Sequence, residues 1–340
     1  MSKRNVTSSK LRIEVSENNS GELLNEKKIE QLKEKNYYVK KWDLDGDAPK
    51  QFIKAYFYIE ESGIRKINLK TWIPYVAKSA EKWYPHESVT EYMINRIGEE
   101  MGLLMNEVKL VKANNQIRFL SKYFLNKGEI LVHGAEICGE HLGDMDMAKE
   151  IAINRKTARE LFNFEFIEES IYNVFPDSCH DDIMDGIVKM IAFDGLVGNN
   201  DRHFYNWGVI DNTKRSRKVP KFAPLYDSAR GLLWNFSDEN IVRVLGLHNN
   251  GGKKVVNYIE KAYPRISLDK NKEANHFELI SFVKLQHKSY KKIINELSTK
   301  KNEERVLRML EIEFFPFFIE ERAELIKIII KDRFERVRKI

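Results

Sequence analysis

The sequence predicts an α+β fold of two lobes, a small antiparallel β-rich lobe carrying one helix and a larger, mostly helical lobe after it. Three observations predict it. Residues 51–125 are rich in aromatic and β-branched runs, broken by turn residues and by a single helical stripe. Beyond about residue 180 the apolar residues recur at helical spacing. The length of 340 residues, with 42% hydrophobic content, suits about two domains or one two-lobed unit with a sizeable core.

Residues 1–42 read as a polar N-terminal extension, with a short strand at Leu11–Val15, a turn at Asn18–Gly21 and a charged helix over Leu23–Lys35. Residues 43–125 form the β-rich lobe. Gln51–Ile59 is a strand, Glu61-Ser62-Gly63 a turn, and Ile64–Lys78 runs extended past Pro74. Over His86–Met101 the residues Val89, Met93, Ile97 and Met101 make one helical stripe, with Gly102 as its stop. Val108–Val111 and Ile117–Phe119 flank Asn114-Asn115, a hairpin signal. Residues 126–340 form the helical lobe. A helix over Asp182–Leu196 carries Ile183, Ile187, Met190, Ile191 and Phe193 and ends near Gly195 and Gly198. Two short strands follow, Trp207–Ile210 and Phe222–Leu225, around the basic turn Thr213–Lys218, and helical patterning resumes at Ser267. Small-molecule sites favour such lobe junctions.

Composition excludes several classes. With 17 Gly and 8 Pro the chain is neither collagen-like nor of low complexity. It has no 18-residue apolar run for a membrane span, and MSKRNVTSSK lacks the apolar stretch of a secretory signal. Cys138 and Cys179 are too few for a disulfide framework or a cysteine-only zinc site, so a cytoplasmic protein is expected. The balance of 57 Lys+Arg against 51 Asp+Glu leaves +6. That small surplus suits any phosphate-bearing partner and selects none.

The segment with most chemistry is Gly198-Asn199-Asn200-Asp201-Arg202-His203-Phe204-Tyr205-Asn206-Trp207, followed by Asp227 in Ala223-Pro224-Leu225-Tyr226-Asp227-Ser228. An Asp, an Asn five residues on, a hairpin and a second Asp are what phosphoryl transfer needs. The first carboxylate sits where an incoming hydroxyl is held. The Asn206 amide oxygen and the Asp227 carboxylate, on neighbouring strands, share Mg²⁺ with phosphate oxygens. Gly, Asn and Asp also form ordinary turns, and it is the added spacing to Asn206 and Asp227 that favours chemistry. Upstream, Lys78 ends an extended run and Glu91 lies on the helix of the same lobe, the pairing that clamps a nucleotide's phosphates. Glu87, one turn earlier, is equally placed by spacing.

DGLVGNNDRHFYNWGVI with APLYDSARG downstream resembles the catalytic core of the HipA-like Ser/Thr protein kinases, whose fold is related to that of phosphatidylinositol kinases. The resemblance spans about residues 43–330. It includes Val76-Ala77-Lys78, Thr90-Glu91-Tyr92, Glu100-Met101-Gly102-Leu103, and Gly46-Asp47-Ala48-Pro49-Lys50, which is similar to the family's phosphate-covering loop. It implies a protein-kinase-like fold, ATP and Mg²⁺ as cofactors, and a protein Ser/Thr hydroxyl as acceptor. Asp201 is then the catalytic base beside His203 and Asn206, with Asn206 and Asp227 as metal ligands. Lys78, Glu91, Gly46, Ala48, Lys50 and Asp227 are then the nucleotide site. The chain departs from the family at Asp45-Gly46-Asp47-Ala48, which has one glycine and two carboxylates where the family loop is richer in Ser and Gly. A regulatory partner protein is a further expectation that the resemblance raises, although only about 40 residues precede the loop.

Other features have plainer readings. His203 either steadies its loop or touches the γ-phosphate. Arg202 pairs with a carboxylate or a phosphate. Cys179-His180-Asp181-Asp182 reads better as an acidic helix start than as a metal site. Lys214, Arg215, Arg217 and Lys218, and the tail Lys331–Lys339, read as solvated charge. Two alternatives stand beside a protein kinase. One is a lipid or small-molecule kinase, though the sequence offers no aromatic-faced membrane helix. The other is a non-catalytic ATP- or nucleic-acid-binding protein, and the low net charge and absent motif make nucleic acid an improbable main partner.

Overall fold

The computed structural model describes residues 10–40, 50–59, 63–213 and 219–340. The expected loop with Gly46 and Ala48, the turn at Glu61-Ser62 and the basic residues Lys214–Lys218 lie outside the described residues.

The first lobe is a curled sheet with one helix. Its strands are β1 (Asn18–Asn19), β2 (Glu30–Gln31), β3 (Tyr37–Val39), β4 (Lys50–Ala55), β5 (Ile73–Lys78), β6 (Trp83–Tyr84), β7 (Val108–Ala113) and β8 (Gln116–Lys122). Among the described residues the main sheet runs β2-β7-β8-β5-β4-β3, antiparallel except where β2 joins β7. The β7–β8 turn is made by Asn114 (φ 46°) and Asn115 (φ 60°), and this pair of left-handed residues matches the twist of the strands. On β5, Tyr75 and Ala77 are buried in the sheet's own core with Ile53, Val111 and Leu120. Strand alternation therefore turns Val76 and Lys78 to the other face. That face receives α1 (His86–Glu100), whose stripe of Val89, Met93 and Ile97 is fully buried in the main core.

Two expectations near the N-terminus are corrected. Leu11–Val15 is extended but pairs with no strand among the described residues. Side chains hold it instead: Gln51 accepts from the Arg12 N–H at 2.6 Å, and the Gln116 amide bonds both the N–H and the carbonyl of Glu14. Leu23–Lys35 forms no α-helix. It breaks into two single 3₁₀ turns around β2, and the Leu32 N–H donates to the Lys112 carbonyl at 2.9 Å. A helix that short is marginal in water, and here pairing at the sheet edge with burial of Ile29 and Leu32 wins.

The second region contains the small sheet β9 (Glu129–His133), β10 (Gly208–Asn212) and β11 (Lys221–Phe222), with β10 in the centre. Its helices are α2 (Gly134–Leu142), α3 (Met145–Ile153), α4 (Arg155–Leu161), α5 (Phe164–Val174), α6 (His180–Val197), α7 (Asp238–Asn249), α8 (Lys254–Glu260), α9 (His276–Gln286), α10 (Lys288–Leu297), α11 (Lys300–Glu313) and α12 (Glu320–Lys339). The axis of this core is α6, with Ile183, Ile187, Met190, Phe193, Leu196 and Val197 all fully buried. Asp181 and Asp182 occupy its first turn, as acidic residues at a helix start should. Gly198 ends it at φ 68°, and a Cβ there would come within 2.8 Å of the Arg333 guanidinium. The tail Lys331–Lys339 is not the solvated face expected of it, because Arg333, Phe334 and Val337 are buried on α12.

Residues 16–25 strap the two parts together. Ser20 bonds the Tyr84 carbonyl, the Leu24 N–H reaches the Phe317 carbonyl, and Ser20 Oγ lies 2.9 Å from Nδ1 of the fully buried His86. Burial, with the Arg322 charge nearby, pushes His86 down to about 3. Because the folded value lies below the unfolded one, the stabilising contribution is complete above about pH 6.5. It is lost as pH falls from there towards 3, by up to ~1.4 kcal/mol per pH unit. Denaturant midpoints measured across pH 7 to 4 should therefore fall, and fall less steeply in His86→Gln. Buried His276, held low in the same sense, accounts for part of the remaining slope. An unchanged slope in the variant would rule His86 out as an acid-labile element.

Candidate functional site

Lys78, the last residue of β5, lies where the two parts meet. Its Nζ is 3.1 Å from Glu91 Oε1 on α1 and 2.7 Å from Asp227 Oδ1. Glu87 takes no part in this cluster, since its Oε2 accepts the Lys82 and Trp83 N–H groups at 2.8 Å and so fixes the turn into α1. Burial alone would lower the Lys78 ammonium, but Asp227 and Glu91 outweigh it and hold the group charged. Burial pushes Glu91 up against the pull of Lys78. Burial would also raise Asp227, yet the ammonium at 2.7 Å keeps that carboxyl below its ordinary range, with Lys50 adding to the effect. Lys50 faces Lys78 across the β4–β5 ladder, so both strands present a cation at this corner.

Asp227 has φ 53°, a left-handed value uncommon for a side-chain-bearing residue and concentrated at functional sites. The expected placement of Asn206 and Asp227 on neighbouring strands is corrected, because both lie in loops. Asn206 precedes β10, and Asp227 follows β11 past the bridge between Met105 and Leu225. The reason is local. The Leu225 N–H and carbonyl bond Leu104 and Asn106 at 2.8 Å, which draws the segment off β10 and towards α1.

One buried side chain assembles the loop from 201 to 206 with the segment from 226 to 228. Arg202, 1% exposed, grips Asp194 of α6 through Nε and Nη2, each at 2.9 Å. Nη1 donates to the carbonyls of Asn206 (3.0 Å) and Tyr226 (2.6 Å), and Nη2 also reaches Ser228 Oγ at 2.6 Å. Arg202 thus pairs with a carboxylate, and it fixes the backbone beside both expected metal ligands. The Asn206 side-chain NH₂ donates to the Asp201 carbonyl at 3.0 Å, so its oxygen is the end left for a cation. A carboxylate and an amide oxygen form the sparse oxygen set that Mg²⁺ takes along with phosphate and water, so the donors fit that ion. Among the described residues no group of three or more His, Cys, Asp or Glu side chains is arranged to hold a metal by itself. His203 takes the Tyr205 N–H on Nδ1 at 3.2 Å, which stiffens the loop, and burial lowers its proton affinity.

Several residues of this site escaped the sequence reading. Asp201 Oδ1 receives Arg265 Nη2 at 2.6 Å, and Oδ2 lies 3.1 Å from Arg230 Nε. Arg333 reaches under the loop from α12 to the carbonyls of Gly195 (2.8 Å) and Ile259 (3.0 Å). Asp194 did carry a signal, since an acid within the apolar run of α6 needs a buried cation to pair with. An apolar cavity of about 220 Å³ between α7, α8 and α12, lined by Leu233, Phe236, Val244, Tyr258, Leu325 and Ile329, shares no residue with this cluster.

The HipA-like C-terminal domain model matches residues 43–305. The chain belongs to that family. None of the curated proteins matches the chain. Among solved structures, the Helicobacter pylori proinflammatory kinase CtkA is similar to this family member with TM-score 0.62 and 17% identity, over 78% of this chain and 90% of that one. HipA of Shewanella oneidensis MR-1, solved with HipB and operator DNA, gives TM-score 0.49 and 11% identity over 88% and 66%. The likeness to CtkA shows the fold, a curled β lobe with a helical C-terminal region, as the sequence predicted. Among the described residues no helix is long and apolar enough to cross a membrane.

Proposed function

We propose that the chain is an ATP- and Mg²⁺-dependent phosphotransferase that moves the γ-phosphoryl group of ATP to a Ser or Thr hydroxyl of a protein. Membership of the HipA-like family supports a kinase-type function. The observation that carries the finer reading is Lys78 bridging Glu91 and Asp227 next to the Asp201–Asn206 loop. Lys78 orients the phosphates, with Glu91 holding its ammonium in place. Asn206 and Asp227 hold Mg²⁺, which when bound offsets charge on the phosphate oxygens. Asp201 orients the acceptor hydroxyl and takes its proton. The acceptor oxygen bonds to the γ-phosphorus, the bond to the β-phosphate oxygen breaks, and ADP leaves. The chain's work is positioning and charge complementarity, which act most strongly where water is excluded.

Labelled ATP and Mg²⁺ with a soluble protein extract test the reading. Wild type should label a protein on Ser or Thr, and Asp201→Asn should lower incorporation by about a hundredfold or more, the scale of a positioned proton acceptor. Near-wild-type labelling by a folded Asp201→Asn variant would remove Asp201 from this role. Labelling of lipid vesicles instead of protein would move the chain to lipid phosphorylation.

A further inference from the structure

We propose that Arg230 and Arg265 form an anion-recognition site on the acceptor side of Asp201, so that the substrate carries a carboxylate or phosphate beside its acceptor hydroxyl. The inference rests on the phosphotransferase reading above and names its substrate class.

Both oxygens of Asp201 are taken by guanidinium groups from separate segments, Arg265 on Oδ1 and Arg230 on Oδ2. Neither placement is casual. The stretch carrying Arg265 is fastened from below: Arg155 donates to the Tyr263 carbonyl at 2.7 Å, Arg159 holds the Pro264 and Lys272 carbonyls, and Ser267 Oγ bonds the Arg159 carbonyl. The Arg230 carbonyl accepts the Asn200 N–H at 3.1 Å, and its guanidinium lies 5.2 Å over the Trp234 ring. Arg155 is near enough for Arg265 to lower its proton affinity, after burial, and for Asp201 and Glu273 to raise it. Two guanidinium groups therefore hold Asp201, and Arg155 lies within electrostatic range of it, with Glu273 as the further carboxylate that Arg155 senses.

A carboxylate held from both sides by arginine has fewer lone pairs open to an incoming hydroxyl. Two guanidinium groups around one carboxylate also leave positive charge unmatched. An anionic group on the substrate resolves both problems, since it takes over one guanidinium and frees an Asp201 oxygen for the acceptor. The fork of each guanidinium suits carboxylate and phosphate equally. Arg230, 31% exposed against 16% for Arg265, is the readier of the two to swing to the substrate.

The test uses the full chain, Mg²⁺, labelled ATP and Ser-centred peptides that differ only in flanking Glu, phosphoserine, Ala or Lys. Wild type should favour the Glu or phosphoserine peptides over Ala by about tenfold or more in kcat/KM, with Lys lowest. Arg265→Gln and Arg230→Gln should collapse that ratio towards one, and Arg265→Lys should retain part of it. Preference for Glu over phosphoserine assigns a carboxylate, and the reverse assigns a phosphate. Equal rates on all peptides in wild type would overturn the inference while leaving the phosphotransferase standing. So would variants that lose rate equally on every peptide, because the arginines would then act on the transferred group or on folding. If neither peptide nor protein is labelled, both readings fall together.

Discussion

On the proposed assignment of Asp227 as a metal ligand, Asp227→Asn is expected to lower phosphate transfer by about a thousandfold or more, because a metal bound there would contribute several kcal/mol to the charge balance of the transition state. Asparagine is the right replacement. It keeps the shape and accepts the left-handed φ of 53° better than most side chains, so the backbone after β11 is retained. What goes is one negative charge, 2.7 Å from Lys78 and coupled to Lys50 and His203. Lys78 keeps Glu91 at 3.1 Å, and that pair tightens, because Asp227 is one of the charges that raise Glu91. The fold is therefore expected to survive while the proposed metal site does not. Labelled-ATP incorporation across a Mg²⁺ titration, with thermal melting as control, reads both halves. A folded variant within tenfold of wild type at ordinary Mg²⁺ would place the metal elsewhere.

The parts of this architecture that were legible in the sequence are those that repeat. The α1 and α6 stripes recur every three or four residues, and the Asn114-Asn115 pair specifies its own turn. Asp201, Asn206 and Asp227 stood out because their residue types sit at a spacing that means little for packing. Lys78 gained weight only beside them, and Glu91 was set apart from Glu87 only by the family resemblance. Single residues whose partners are distant in sequence stayed invisible. Arg265 meets Asp201 across 64 positions and Arg333 meets Gly195 across 138, and no local pattern encodes either. Leu232 and Leu233 adopt φ 45° and 64° just after the Asp227 segment, which no propensity of leucine foretells. The lost helix at Leu23–Lys35 shows the opposite error, where a local preference yields to pairing with a strand some 80 residues away.

Arg202→Leu should have the largest effect on stability, and it separates structure from chemistry. Breaking a buried ion pair from one side costs about 3–5 kcal/mol, because the carboxyl of Asp194, 3% exposed, is left uncompensated with, among the described side chains, the Asn199 amide at 2.9 Å. The same change releases the carbonyls of Asn206 and Tyr226, so the segments carrying the two proposed metal ligands lose their common tether. Removing both charges with Arg202→Leu/Asp194→Leu should recover much of the stability, since a paired buried charge replaced by apolar volume is often close to neutral. It should recover little of the activity, because no leucine donates to those carbonyls. Arg202→Lys should also fail, as a single ammonium cannot span a carboxylate, two carbonyls and the Ser228 hydroxyl from one planar group. Denaturant unfolding and labelled-ATP turnover on the same three proteins decide it. If the double variant regained both properties together, Arg202 would be a packing residue only, and the alignment of Asn206 with Asp227 would need another cause.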